Sequence, residues 1–436
     1  MDLAEVRLWG RTIGAVSQSS DADVASFQYD AEFAASGIEI APLTMPLAPR
    51  PYTFPGLARP SFHGLPGLLV DSLPDRFGSA LIDAWLARQG RDPGDFSAIE
   101  RLCYVGTRGM GALEFRPSTG PEPSSPEVVR VEALADLASK ILTSRADLSV
   151  TLSSGSEEEA LTQLLRVGTS AGGARPKALI AWNPATNEVR SGQVAAGSGF
   201  EYWILKFDGV RGFDDESLAD PLGYGAIEYA YALMAAAAGV EMTACRLFEE
   251  AGRRHFMTRR FDRTPDGKKV HMLSLAGMAH LDFNQAGAHG YEQALLTIRR
   301  LGLGMDAIEQ QFRRMVFNIL ARNQDDHVKN IAFLMDPSGA WSLSPAFDVT
   351  YAYNPSGIWT ASHQMTVNGK RDGIALDDFK AVARNASMKR GRAQTIYDEV
   401  RSAVSRWTEF AQAAGVPQPR ADAVSQTLRV DLPASA

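Results

Sequence analysis

The sequence predicts an α+β protein: a small N-terminal unit containing β-strands, then a two-lobed body whose second lobe is mostly helical. Three observations predict it. Residues 5–35 alternate apolar and polar positions, as in Val6-Leu8 and Phe27-Tyr29-Ala31-Phe33, the period of short antiparallel strands. Strand-like segments at 177–182, 202–207 and within 255–273 precede a pattern that is mostly helical from 291 onward, and strands followed by helices suit segregated lobes better than an alternating βα sheet. Between unit and body, RPSTGPEPSSPE (116–127) holds four prolines and no apolar periodicity, the composition of an exposed connector. The expected division is 1–116, a connector at 117–130, a first lobe at 131–265 and a helical lobe at 266–436.

Single elements follow from local chemistry. In DSLPDRFGSALIDAWLARQG (71–90), Phe77, Leu81 and Trp85 recur every four residues, Pro74 sits where a first turn tolerates it, and Gly90 is a stop; this reads as a core-facing helix. Helical patterns cover 131–143 and 156–167, and a longer one covers roughly 222–238. The stretch HFMTRRFDRTPDGKKVHML (255–273) reads as two strands around a Pro-Asp-Gly turn.

Composition narrows the function classes. A chain of 436 residues with 45% hydrophobic and 22% charged residues can bury a large core. A net charge of −7 argues against binding nucleic acid by blanket phosphate neutralisation. Only Cys103 and Cys245 occur, which excludes a disulfide framework and suits a reducing, cytoplasmic setting. The start MDLAEVRLWGR lacks the apolar stretch of a signal peptide, and the apolar run 229–240 is too short to span a bilayer.

Four segments carry candidate chemistry. GTSAGGARPK (168–177) supplies glycines for close backbone approach and amides free to face phosphate oxygens. It is not a Walker loop, because a helical pattern precedes it and the strand KALIAW follows; a flap over nucleotide phosphates and an ordinary glycine turn both fit. In EYWILKFDG (201–209), Lys206 sits on an apolar strand, where an ammonium needs an anionic partner unless it snorkels to water. In protein kinases such a lysine contacts phosphates and pairs with a helix glutamate, and Glu228 is the nearest candidate. NQDDHVKN (323–330) is the most informative stretch. Asp325 and Asn330 stand five apart, the separation between base and metal-binding asparagine in the kinase catalytic loop, and Asp348 follows in LSPAFDVTY with no glycine after it. Asn330 and Asp348 supply hard oxygens for Mg²⁺, Asp325 would take the acceptor proton, and Lys329 could offset charge on the transferring phosphoryl group. His327 would order the loop. No histidine pair has zinc-protease spacing and no nucleophile elbow accompanies a credible triad.

The chain resembles the HipA family of bacterial toxin kinases over nearly its whole length. The motifs, in order, are LPDRFG (73–78), SAGGARPKA (170–178), ILKF (204–207), RRFDR (259–263), NQDDHVKN (323–330) and LSPAFDV (343–349). The resemblance implies a two-lobed protein-kinase-like fold and Ser/Thr kinase activity with ATP and Mg²⁺. It implies Asp325 as catalytic aspartate, Asn330 and Asp348 as metal ligands, and Lys206 as the phosphate lysine. Gly172, Gly173, Ala174, Arg175, Pro176 and Lys177 would form the phosphate loop, and Arg259, Arg260 and Phe261 would line the adenine pocket, mostly through backbone. Ser170 matches the serine that HipA kinases autophosphorylate. The implied partners are a HipB-like helix-turn-helix antitoxin, operator DNA through that antitoxin only, and a protein substrate, an aminoacyl-tRNA synthetase with glutamyl-tRNA synthetase the best guess. The competing readings are an idle nucleotide-binding corepressor and a small-molecule kinase.

Overall fold

A computed structural model describes residues 2–19, 21–120, 129–143, 164–165, 175–210 and 222–432. The N-terminal unit is an antiparallel sheet in the order β4-β3-β2-β1-β5, built from β1 (Asp2–Leu8), β2 (Arg11–Gln18), β3 (Ser26–Tyr29), β4 (Pro51–Tyr52) and β5 (Leu113–Arg116). Ala4, Val6 and Leu8 point into the core, which the period-two pattern of β1 requires. The alternation expected through Phe33 ends early. Asp30 accepts hydrogen bonds from the Glu32 and Phe33 amides at 2.9 and 3.2 Å, and Ala31–Ala34 turns helical.

The helix expected at 71–90 spans Arg76–Arg88, with Asp75 as its cap and Pro74 outside it. Phe77 and Leu81 are fully buried. Their core is shared with β6 (Lys177–Trp182), β8 (Glu201–Lys206) and the helix Val131–Thr143, through Ala178, Ile180, Trp203, Leu205 and Leu134. Those strands belong to a second antiparallel sheet, β7-β6-β8-β10-β9, with β7 at Val189–Ser191, β9 at Cys245–Glu250 and β10 at Arg253–Arg259.

The two strands expected within 255–273 are present and a short antiparallel bridge, Arg263 to Lys269, flanks the turn, but the strands join different sheets. β10 pairs with β8 and β9, whereas β11 (His271–Ser274) joins a separate three-stranded sheet with β12 (Ala332–Met335) and β13 (Trp341–Leu343). The Pro-Asp-Gly turn is real, closed by Gly267 N–H to Thr264 O at 2.9 Å, but the chain crosses between sheets there. Helices Tyr291–Arg300, Met305–Leu320, Leu376–Asn385, Arg392–Val404, Trp407–Ala413 and Gln418–Ser425 form the rest of the second lobe. The helix Tyr224–Ala237 packs its Ile227, Tyr231 and Met234 into that lobe's core. The architecture is a two-lobed kinase-like fold with an added N-terminal unit. Among the described residues no helix is long and apolar enough to cross a membrane.

Candidate functional site

The site lies where the second sheet, the helix Tyr224–Ala237 and the loop after Met305–Leu320 meet. Strand and helix are locked together first. The buried Asp208 carboxylate, two residues beyond Lys206, accepts from the Gly223 and Gly225 amides at 2.9 and 3.4 Å and so caps the helix. Gly225 also lets the helix lie against β10, since a Cβ there would lie 2.1 Å from the Arg254 carbonyl oxygen.

That registration brings Glu228 to the strand lysine: Lys206 Nζ donates to Glu228 Oε1 at 2.5 Å and also to Asp348 Oδ1. Burial alone would lower the Lys206 pKa, but Asp348 and Glu228 overcome it and raise it. Glu228 is raised by its own burial, with Lys206 opposing. Burial would also raise Asp348; Lys206 and Lys177 reverse this and hold it below the usual carboxylate range. Asp348 has φ of +55°, a left-handed backbone that aspartate tolerates.

In the loop 323–330, a 3₁₀ turn at Val328–Asn330 folds Asn330 back so that Nδ2 donates to the Asp325 carbonyl at 2.9 Å. The Asn330 amide oxygen is left as the atom with cation-binding chemistry. His327, Asn330 and Asp348 line one cleft together. The Asp325 side chain is 47% exposed, yet the protein crowding it raises its pKa, with His327 opposing and Asp348 adding. A carboxylate raised in this way suits proton acceptance. His327 Nε2 stands 3.8 Å from Asp325 Oδ1, too far for a hydrogen bond. Lys329 Nζ rests 4.4 Å from the centre of the Phe283 ring. No group of three acidic, histidine or cysteine side chains forms a metal cage among the described residues. Two protein oxygens completed by phosphates and water are the set that Mg²⁺ takes in nucleotide sites, so Asn330 and Asp348 fit it.

Of the phosphate-loop residues, Ser170, Gly172, Gly173 and Ala174 lie outside the described residues. Lys177, at the start of β6, is directly opposite Lys206 in the strand register. Arg175 stacks its guanidinium 4.0 Å from the Tyr224 ring centre. At the expected adenine segment, the Arg260 guanidinium is buried against Asp262 through two bonds of 2.8 and 2.7 Å, so its side chain is committed to structure. Arg259 is partly exposed with Glu201 3.8 Å away, and the Phe261 ring lies 5.5 Å from that of Phe347, the neighbour of Asp348.

Sequence reasoning passed over Asp326. Its buried carboxylate accepts from Tyr291 Oη at 2.7 Å and from the Gln364 amide at 2.8 Å, and lies 3.0 Å from His363 Nδ1. Burial would raise its pKa; His363 and these donors lower it. The partners come from distant segments, and the adjacent aspartates of the loop were the one available signal.

Comparison with known proteins gives the family and the fold. The HipA N-terminal domain family matches residues 4–116, and the HipA-like C-terminal domain family matches residues 169–407. A Sinorhizobium fredii protein, "Putative kinase Y4dM", is 27% identical over 181 residues, 40% of this chain and 42% of that protein, so the match spans under half of the relative. The HipA chain in a Shewanella oneidensis complex of HipA, HipB and operator DNA superposes with a TM-score of 0.67 at 17% identity, over 97% of this chain and 94% of that one. With both of its family domains matched in order, the chain belongs to the HipA family.

Proposed function

We propose that the chain is a toxin-type Ser/Thr protein kinase that moves the γ-phosphoryl group of ATP to a protein hydroxyl. The observation that carries this reading is the Lys206–Glu228–Asp348 set, anchored on the buried Glu228, beside the loop of Asp325 and Asn330. Lys206, fixed by Glu228, binds phosphate oxygens, and Lys177 adds a second ammonium. Asn330 and Asp348 hold Mg²⁺, which supplies charge neutralisation on the phosphates. Asp325 orients the acceptor hydroxyl and accepts its proton as the new O–P bond forms and the bond from the γ-phosphorus to ADP breaks. Lys329 would offset charge on the transferring phosphoryl group. The Arg259 and Arg260 amides are already bonded to the Ala244 and Tyr202 carbonyls at 2.8 and 2.9 Å, so the adenine would meet the Phe261 backbone, with Phe261 and Phe347 as apolar walls.

The HipA, HipB and operator DNA complex supports a HipB-like helix-turn-helix antitoxin as partner, with operator DNA engaged through it; an aminoacyl-tRNA synthetase is the proposed target. Ser170 is the proposed autophosphorylation site, where a phosphate would add about −1.5 to −2 charge and compete with nucleotide for the loop amides. Incubation with labelled ATP, Mg²⁺ and a bacterial lysate tests the reading. A labelled protein supports it, labelled small molecules alone redirect it to another kinase class, and no transfer with intact ATP binding leaves the idle corepressor.

A further inference from the structure

The LPDRFG segment of the N-terminal unit has no part in the chemistry above, yet its aspartate reaches the site. Segment 61–75 bonds along the body at four points. Ser61 Oγ donates to Asp282 and accepts from Asn284 Nδ2. The Gly67 amide donates to His280 Nε2 at 3.1 Å, in a contact so close that a Cβ on Gly67 would lie 2.3 Å from the Gly277 carbonyl oxygen. The Asp71 carboxylate accepts from Ser274 N at 2.6 Å and Ser274 Oγ at 2.9 Å. Last in this run, Asp75 Oδ2 lies 3.5 Å from Lys177 Nζ, with both side chains 4% exposed.

The charge arrangement gives this contact a purpose. Lys177 and Lys206 are cross-strand partners, so two ammoniums share one face of the β6–β8 pair at a buried position. Carboxylates are needed beside both, because an unpaired buried charge is costly. Lys206 has Glu228 and Asp348; Lys177 has Asp75. Asp75 is itself fixed, since its other oxygen accepts from the Gly78 amide at 2.6 Å and the helix it caps is anchored in the first-lobe core. The geometry points to Asp75 as a positioning residue that holds the Lys177 ammonium in place, aimed at nucleotide phosphates, so that the N-terminal unit completes the nucleotide site of the body. The inference rests on the proposed nucleotide role of Lys177.

Asp75→Asn isolates the charge, because asparagine caps a helix as well as aspartate does. ATP dissociation constants are measured by titration for wild type, Asp75→Asn, Asp75→Glu, Lys177→Met and the Asp75→Asn/Lys177→Met double variant, with circular dichroism to confirm folding. Asp75→Asn should weaken ATP about tenfold, as loss of a supporting partner typically does. Asp75→Glu should recover part of this, and the double variant should bind no worse than Lys177→Met alone. If Asp75→Asn binds ATP as wild type does while Lys177→Met is weakened, the positioning role is overturned and the kinase reading stands. An equal loss from Asp75→Asn in the Lys177→Met background also overturns it, since Asp75 would then act through the fold alone. Wild-type affinity in Lys177→Met removes Lys177 from the phosphate site and the inference with it.

Discussion

Lys206 Nζ lies 2.5 Å from Glu228 Oε1, joining the end of β8 to the helix Tyr224–Ala237 in an ion pair of which Glu228 is only 3% exposed. Asp348 completes the set from a loop of the second lobe. Removing the lysine leaves the buried Glu228 and the partly buried Asp348 carboxylates without their cation, the costly way to break such a pair.

Lys206→Met is therefore expected to lose stability by about 3 kcal/mol in urea denaturation, and to lose about 100-fold in phosphoryl transfer. Glu228→Gln keeps the shape and should lose less of both. A Lys206→Met protein with wild-type transfer rates would remove the lysine from the site.

Asp326 is expected to act through the loop rather than on the reactants. Tyr291, His363 and Gln364 converge on its carboxylate, one residue from Asp325. Asp326→Ala should cost about 3–5 kcal/mol, as breaking a buried network does. Asp326→Asn should fold and bind ATP with wild-type affinity while kcat falls, because Asp325 loses its anchor. Weaker ATP binding with unchanged kcat would place Asp326 elsewhere.

Asp262 sets a pH dependence. Burial would raise its pKa, but Arg260, Arg263 and the Gly111 amide hold the folded-state value well below the usual carboxylate range. The folded state thus binds this proton less readily than the unfolded chain. The stability it contributes is fully present above the unfolded pKa of about 3.9 and is lost as pH falls toward the folded value. The gap in unfolding free energy between wild type and Asp262→Asn should be constant from pH 5 to 7 and shrink below pH of about 4. A gap that grows on acidification contradicts this.

How far the site was legible in the sequence depended on the separation of its parts. Asp325 and Asn330 announced themselves by their spacing within one loop, and Asp348 by the apolar stretch before it; the fold places the loop and Asp348 at one cleft. Glu228 was reachable as the nearest acid on the next helix. The Asp75–Lys177 and Asp326–His363 pairs were not, because neither partner carries a local pattern that names the other. Strand partners were equally hidden. The 255–273 alternation marks two strands, but alternation reports burial of one face and is silent on which sheet receives it, so a hairpin and a crossover look alike.

Ser170 is expected to be self-modified. Intact-mass analysis of protein purified from cells should show one added phosphate on wild type, none on Asp325→Ala and none at this position on Ser170→Ala. Wild-type protein that phosphorylates a substrate with Mg²⁺ and ATP yet stays unmodified at Ser170 would end the self-inactivation idea and leave the transfer reaction standing.

The most direct test of the central claim is transfer of label from γ-labelled ATP to protein in a lysate, run with wild type and Asp325→Ala at matched ATP occupancy. Wild type should label a discrete protein while Asp325→Ala binds ATP and labels none, because Asp325 acts on the acceptor and not on the nucleotide. Near wild-type labelling by folded Asp325→Ala would contradict the assignment of the catalytic centre.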